Sequence, residues 1–361
     1  MHVYGCKISY YTGKVETYLR YRSIPYDYSP TVGNERKLIE GAGVVQMPVV
    51  QHTDGRWMTD STPIIAALEA EQDQTTIYPD DPALRFAALL IDDYADEWLW
   101  RPAMHYRWSY AADRRYAAHS LYEDLIKGTR RLPAILARRF LTRRQLGNFV
   151  RGDGVTEQTW DHVEGAYFNA LDLLQAIFEK RPFILGETPT IADFGMMAPM
   201  LRHFSQDPTP AEIMRTRAPA VYEWVARMWN TKAQPGDTGI ISEIDEPLAA
   251  LLVEASETHL AQLRQNADAV TQGLARYDQT IQGCDYKQVP SSRYRVWCLE
   301  ELRREWTELA AIRGIHPVGG SVICAIQLRP GASGALQQGD QRVRQGPATE
   351  LGVAQRLLDH V

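Results

Sequence analysis

Cysteine is scarce in this chain of 361 residues, and its four cysteines share no short spacing. Cys6, Cys284, Cys298 and Cys324 form none of the C-x-x-C pairs that are typical of structural zinc sites and redox-active disulfides. The sequence therefore predicts reduced thiols, no metal site and no disulfide framework, as in a cytoplasmic protein.

Long hydrophobic runs and an excess of positive charge are also lacking. No window reaches about 18 uninterrupted apolar residues, so we expect no membrane span. The amino terminus does not have the layout of a signal peptide. The formal net charge of -6 argues against a general nucleic-acid binder. We therefore expect a cytoplasmic protein with neither a membrane nor a nucleic acid as its partner.

What is present is typical of a globular protein: 45% of the residues are hydrophobic and 23% are charged. The length predicts at least two domains. In residues 1–72, hydrophobic periodicity and turn residues predict the order βαβαββα, which is that of a thioredoxin-like domain. The strands are predicted at 2–6, 26–29, 48–51 and 56–59, and the helices at about 14–22, 34–40 and 61–71, with Ser61 as the cap of the third helix.

Three motifs in this region resemble the amino-terminal domain of glutathione transferases. They are Ser9-Tyr10-Tyr11-Thr12-Gly13-Lys14-Val15, Gln46-Met47-Pro48 and Asp60-Ser61. In the family, the first residue of the first motif is the catalytic serine of the serine-type classes. The resemblance therefore implies that Ser9 donates a hydrogen bond to the sulfur of glutathione, where a helix amino terminus also favours negative charge.

The other two motifs imply a binding site for the rest of the tripeptide. Pro48 is expected to be cis, and the backbone of Met47 to pair with glutathione as an added strand would. Ser61 is expected to bind the γ-glutamyl carboxylate and Asp60 the ammonium group, while Gln46 would reach the glycine end.

Alternatives remain open at each of these positions. Ser9 is also a good residue for a simple helix cap. Tyr10 and Tyr11 are rivals for the thiol contact, because some transferases use tyrosine. Pro48 suits an edge strand, and Cys6 is better interpreted as a core thiol than as a nucleophile.

Residues 72–82 are predicted to be a linker, and residues 83–230 an all-helical domain that binds the second substrate. Five aromatic or imidazole side chains are candidates for lining its pocket, although any single one of them is better explained by core packing. They are Tyr94, Trp98, His105, Tyr106 and Trp108. Thr190 and Asp193 have the spacing of a capping box and resemble the box that opens the buried core helix of the family.

Two segments lie outside the family pattern. The first is a basic insertion at about 111–155. It is interpreted as a solvent-exposed helical segment or as a segment that pairs with an acidic surface of the same chain. The second is a helical extension over 231–361, with helices predicted at 246–275 and 295–312, a strand or loop at 280–289, and a poorly ordered stretch at 331–347.

The sequence thus predicts a thioredoxin-like α/β domain, an all-α transferase-like domain and a helical extension. The resemblance implies a homodimeric enzyme that uses glutathione as cosubstrate and attacks an apolar or aromatic small-molecule electrophile by conjugation, dehalogenation, ether cleavage or isomerisation. A non-catalytic protein-interaction module of the same fold is the alternative. A glutathione-dependent thiol reductase is disfavoured, because Ser9 stands where such an enzyme needs cysteine.

Overall fold

A computed structural model of the chain describes residues 1–73, 76–127, 133–234, 236 and 239–313. Cys324 and the segment 331–347, predicted to be poorly ordered, lie outside the described residues. No helix within the described ranges is long and apolar enough to span a bilayer.

A four-stranded sheet with three helices forms the amino-terminal part of the chain and confirms the predicted order βαβαββα. Its elements are β1 (His2–Gly5), α1 (Tyr10–Tyr21), β2 (Asp27–Pro30), α2 (Glu35–Ala42), β3 (Val49–Gln51), β4 (Trp57–Thr59) and α3 (Ser61–Glu69). The strand order is β2-β1-β3-β4. Strand β2 runs parallel to β1, and β3 is antiparallel to both β1 and β4. This is the thioredoxin-like arrangement.

Eight helices follow between residues 82 and 230 among the described residues. They are α4 (Pro82–Glu97), α5 (Trp100–Ser109), α6 (Ala111–Leu121), α7 (Ala134–Gln145), α8 (Trp160–Phe178), α9 (Ile191–Pro199), α10 (Pro208–Arg217) and α11 (Pro219–Asn230). Helix α9 is buried along its whole length and packs against α1 and α4. The capping box of Thr190 and Asp193 at its start is confirmed.

Short turns of other helical types extend several of these helices. Those with π geometry are Tyr122–Ile126, Leu146–Val150, Met200–Phe204 and Ser256–Leu260, and Arg151–Asp153 is a 3-10 turn. The described residues of the predicted insertion at about 111–155 thus include α6, α7 and the short helical turns that follow each of them.

Within the described residues, the carboxyl-terminal extension is helical apart from a hairpin, whose second strand largely coincides with the segment 280–289 that was predicted to be a strand or loop. Its elements are α12 (Glu246–Ala255), α13 (Ala261–Thr271), β5 (Arg276–Ile281), β6 (Cys284–Pro290) and α14 (Arg293–Arg313). Strands β5 and β6 form an antiparallel hairpin in which Tyr277 and Val289 are paired and buried. The alternation of buried and exposed residues in β5 has the period of two that a one-sided strand requires.

A buried ion pair and a hydrogen-bonded contact attach the extension to α4. Arg295 Nε donates to Glu97 Oε2 at 3.0 Å, and both side chains are buried. His259 Nε2 lies 2.7 Å from Asp93 Oδ2. Because buried charges need partners, these contacts fix where α13 and α14 pack on the helical part of the chain.

Candidate functional site

The sheet topology brings the three motifs to one end of the sheet. Strand β1 ends at Gly5, shortly before Ser9. Tyr4 of β1 pairs with Val49, the first residue of β3, and Val49 pairs with Thr59, the last residue of β4. Since neighbouring strands lie about 4.8 Å apart, the end of β1, the start of β3 and the end of β4 are adjacent in that order.

Ser9 is the N-cap of α1 and is buried, with 1% of its surface exposed. Its hydroxyl oxygen accepts the backbone N–H of Thr12 at 3.5 Å. Within the described ranges, the hydroxyl hydrogen of Ser9 has no acceptor. The side chain can therefore cap the helix and still donate a hydrogen bond, so the two interpretations of Ser9 are compatible.

The hydroxyls of Tyr10 and Tyr11 point to α4. Tyr10 donates to the backbone oxygen of Ala95, and Tyr11 donates to that of Asp96 at 3.0 Å. Burial raises the pKa of both phenols. Each phenol has a single hydrogen, so either tyrosine must give up its contact with α4 before it can donate to a thiol.

Met47 and Pro48 precede β3 and are joined by a cis peptide bond. Among the residues that the structure describes, neither the N–H nor the C=O of Met47 has a hydrogen-bond partner. The side chain of Gln46 likewise has no described partner, although Gln46 is buried. A backbone N–H and C=O that have no partner, like those of Met47, are suited to pairing with an extended ligand.

Asp60, and not Ser61, is the N-cap of α3, which corrects the predicted cap. Ser61 is the first residue of the helix, where its backbone N–H is one of the four that no helical carbonyl can accept. Asp60 has a φ of 71°, a conformation that costs a non-glycine residue about 1–3 kcal/mol. Strained residues of this kind are often found at binding sites, which is consistent with the predicted role.

An arginine that the sequence analysis did not identify fixes the residue before Ser9. Arg107 of α5 is buried and donates to the backbone oxygen of Ile8 at 2.8 Å. Its guanidinium is held by Asp207, with a distance of 2.8 Å from Nε to Oδ2, and by His203 Nε2 at 2.8 Å. Burial lowers the pKa of His203, so the neutral ring accepts from Arg107. The one signal in the sequence was the position of Arg107 within the aromatic stretch of α5.

A buried charge cluster lies behind the site, where α1, α3 and α4 meet. Lys14 Nζ lies 2.6 Å from Asp92 Oδ1, 2.6 Å from Asp96 Oδ2 and 2.7 Å from Thr62 Oγ1. One cation thus faces two carboxylates. Burial raises the pKa of both aspartates against the opposing effect of Lys14. The cluster fixes the second residue of α3 relative to α1.

Two aromatic rings that pack beside the turn at Ser9, those of Trp100 and Phe149, are not among the five residues predicted to line a pocket. Trp100 stacks on Tyr11, with centroids 5.8 Å apart, and contacts Tyr10 edge-on at 5.4 Å. Phe149, from the insertion, packs edge-on against Trp100 at 5.9 Å. These residues form an aromatic cluster beside Ser9. Spacing alone could not reveal it, because Phe149 belongs to a segment outside the family pattern.

The five predicted lining residues are buried in the helical core, with at most 1% of their surface exposed. His105 lies 3.1 Å from Glu164 and packs on Trp160. Tyr106 packs on Tyr167, also in α8, while Trp98 lies edge-on to His162. Tyr94 and Trp108 complete the set. The role of all five residues in binding a substrate stays a prediction.

Comparison with known families accords with this geometry. Residues 3–76 match the family model described as glutathione S-transferase, N-terminal domain. Residues 157–227 match the model described as glutathione S-transferase, C-terminal domain. Residues 3–76 and 157–227 therefore match the two domains of the glutathione S-transferase superfamily, in the order in which that family has them.

Several solved transferases are similar to this chain at a low level. The β-etherase LigF from Sphingobium sp. strain SYK-6 is 16% identical, with a TM-score of 0.44, over 63% of this chain and 93% of that one. A glutathione S-transferase from Methylobacillus flagellatus KT with glutathione bound is 15% identical, with a TM-score of 0.39, over 64% and 99%. No curated protein matches the chain. Similarity at this level supports no statement about substrate or reaction.

Proposed function

We propose that the chain is a glutathione transferase-like enzyme that binds glutathione at the end of the sheet defined by Ser9, Met47 and Ser61. The observation that carries this proposal is a set of hydrogen-bonding groups at that end that have no partner among the residues the structure describes. They are the hydroxyl hydrogen of Ser9, the backbone of Met47 and the first N–H groups of α3.

These groups fit the parts of the tripeptide in order. The N–H and C=O of Met47 suit its peptide backbone, and the amino terminus of α3 at Ser61 suits a carboxylate. Asp60 suits an ammonium group and Gln46 the remaining carboxylate. Glutathione supplies a thiol, and Ser9 together with the amino terminus of α1 stabilises negative charge on its sulfur.

The chemistry that follows is nucleophilic attack on an electrophilic carbon. A sulfur–carbon bond forms, and the leaving group departs with the electron pair of the bond that breaks. Trp100, Tyr11 and Phe149 are aromatic side chains that pack together beside Ser9, and Trp100 and Phe149 are themselves buried. Conjugation, dehalogenation and ether cleavage share this step, and the predicted homodimer is compatible with each of them.

A test of binding is retention of the full chain on immobilised glutathione, followed by titration calorimetry with free glutathione. We expect wild type to bind and Ser61→Ala to lose at least about tenfold in affinity, because a charge-assisted hydrogen bond contributes about 1.5–3 kcal/mol. Ser205→Ala is a matched control, since the hydroxyl of Ser205 donates to the backbone oxygen of Leu201 in its own helix turn. Absence of heat with wild type, or equal affinity for both serine variants, would refute the site.

One observation favours the non-catalytic alternative. Ser9, Met47 and Ser61 are each at most 3% exposed. A protein that used this fold only to bind another protein would need no access to these groups. The same calorimetry separates the two functions, because an interaction module with a closed site gives no heat with glutathione.

A further inference from the structure

Helix α7, within the basic insertion, has two faces of opposite character. Ala137, Leu141 and Gln145 are buried and attach the helix to the rest of the chain. On the outward face, three large apolar side chains are exposed. Ile135 is 75% exposed, Leu136 56% and Phe140 43%. These three lie within six residues, whereas the other large exposed apolar side chains among the described residues are scattered.

The outward face is also basic. Arg139 and Arg143 lie beside Phe140 and are exposed, and neither forms an ion pair with another described residue. From residue 127 to residue 151 the sequence contains eight basic side chains and no carboxylate. An arginine-rich face is unusual in a chain with a net charge of -6, and the proposed transferase chemistry has no use for it.

Helix α7 is attached to the preceding helical segment through Arg138. Arg138 lies between its two faces, and its Nη2 is 2.9 Å from His119 Nδ1 of α6. Its guanidinium also stacks over the ring of Tyr122, 5.3 Å from the centroid. One arginine thus anchors the helix inward, which leaves Arg139 and Arg143 free to contact another surface.

We propose that this face of α7, made of Ile135, Leu136, Arg139, Phe140 and Arg143, docks on a membrane surface rich in anionic lipid headgroups. Apolar side chains interspersed with arginine on one helix face are the pattern of interfacial helices. Such helices lie in the plane of the bilayer, with their apolar side chains about 5–10 Å into the headgroup region. The arginines add electrostatic attraction to acidic lipids.

Three other partners fit this face of α7 less well: a second copy of the chain, the chain's own last 48 residues and another protein. In a twofold contact between copies, Arg139 and Arg143 would face their own counterparts, and like charges repel. The chain's last 48 residues carry four arginines and three carboxylates, so they offer no complementary charge. A helix of 12 residues is about 18 Å long and about 10 Å wide. Its area of about 180 Å² is well below the roughly 800 Å² that each partner buries in a typical protein interface.

The test is cosedimentation of the full chain with sucrose-loaded vesicles. One set is pure phosphatidylcholine, and the other contains phosphatidylcholine and phosphatidylglycerol at about 3:1. We expect binding to the anionic vesicles, weaker binding to neutral ones, and a fall in binding at high salt because the charges are screened.

Two double variants test the face directly. Ile135→Ser with Phe140→Ser should lower the partition coefficient by at least tenfold, because each buried apolar side chain contributes to insertion. Arg139→Glu with Arg143→Glu should abolish the preference for anionic vesicles. The controls are Leu274→Ser, whose side chain is 43% exposed like that of Phe140, and Arg36→Glu on α2. Far-ultraviolet circular dichroism confirms that each variant is folded.

The proposal is wrong if wild type ignores both kinds of vesicle, if it binds them equally, or if the α7 variants bind as the controls do. Binding to poly-L-glutamate that depends on Arg139 and Arg143, without binding to vesicles, would assign the face to an acidic protein partner instead.

Discussion

Two side chains that are distant in the sequence define the geometry of the turn at Ser9. The hydroxyl of Ser9 caps α1, and its own hydrogen has no acceptor in the described part of the chain. Arg107 holds the carbonyl of Ile8, immediately before Ser9, through a charge-assisted bond of 2.8 Å. The position of the candidate nucleophile activator thus depends on a residue in another helix.

Replacing Arg107 by lysine tests this dependence. Lysine keeps a positive charge near Asp207 but cannot reach Asp207, His203 and Ile8 together, since it lacks the planar fork of arginine. We expect Arg107→Lys to weaken glutathione binding by about three- to tenfold, as the loss of part of one charge-assisted bond implies. Titration calorimetry measures the change. Arg217→Lys, at an exposed pair with Asp172, should bind like wild type.

The cluster of Lys14, Asp92 and Asp96 predicts a pH dependence of stability. Burial raises the pKa of Asp96 in the folded chain. Its contribution to stability is therefore complete below the ordinary aspartate pKa of about 3.9 and is lost as the pH rises through the elevated folded value.

Asp96→Asn removes that titration and leaves Asp92 paired with Lys14. We expect the free energy of unfolding of Asp96→Asn, relative to wild type, to increase as the pH rises from about 4 to 8. Urea denaturation at a series of pH values measures it, and exposed Asp73→Asn is the control. A difference that is flat or falls with pH would contradict the account.

At the scale of elements, the packing of α14 on α4 depends on the buried pair of Glu97 and Arg295. Each side chain is at most 3% exposed, so removing one partner leaves the other as an isolated buried charge. We expect Arg295→Met to lower the free energy of unfolding by about 3–5 kcal/mol. Arg295→Met combined with Glu97→Leu should recover much of that loss, because no unpaired charge remains. Urea denaturation tests both, and a double variant no better than the single one would contradict the interpretation.

The sequence was sufficient for those elements whose signals are local. The order βαβαββα and the capping box of Thr190 and Asp193 both depend on residues close together in the chain. The N-cap of α3 was misassigned by one residue, because Asp60 adopts a positive φ that serine and aspartate caps do not usually have.

Contacts between residues that are far apart in the chain could not be predicted from the sequence. Arg107 and Ile8 are 99 residues apart. Trp100 and Phe149 meet only because the insertion folds back over α5. For the aromatic residues of α4 and α5, helical periodicity cannot distinguish a face that packs on α8 from a face that lines a pocket, because both faces are apolar.

At the scale of the whole molecule, the extension is expected to be part of the fold. Leu248 and Leu251 of α12 are fully buried, and Asp93 and Glu97 of α4 have partners in the extension. A chain that ends at Asn230 should expose this apolar surface and two unpaired carboxylates. We predict aggregation or a melting temperature well below that of the full chain, measured by size-exclusion chromatography and calorimetry. A monodisperse chain of 230 residues with unchanged melting would contradict this.

The central claim is that the turn at Ser9 stabilises the thiolate of bound glutathione. The most direct measurement is the ultraviolet absorbance of thiolate in the complex as a function of pH, for wild type and Ser9→Ala. A shift of about two units from the ordinary thiol pKa of about 8.5 corresponds to about 2.7 kcal/mol. We predict that wild-type complex titrates near pH 6.5 and that Ser9→Ala returns most of the way to 8.5. A wild-type complex that titrates at the ordinary value, or an unchanged titration in Ser9→Ala, would contradict the account.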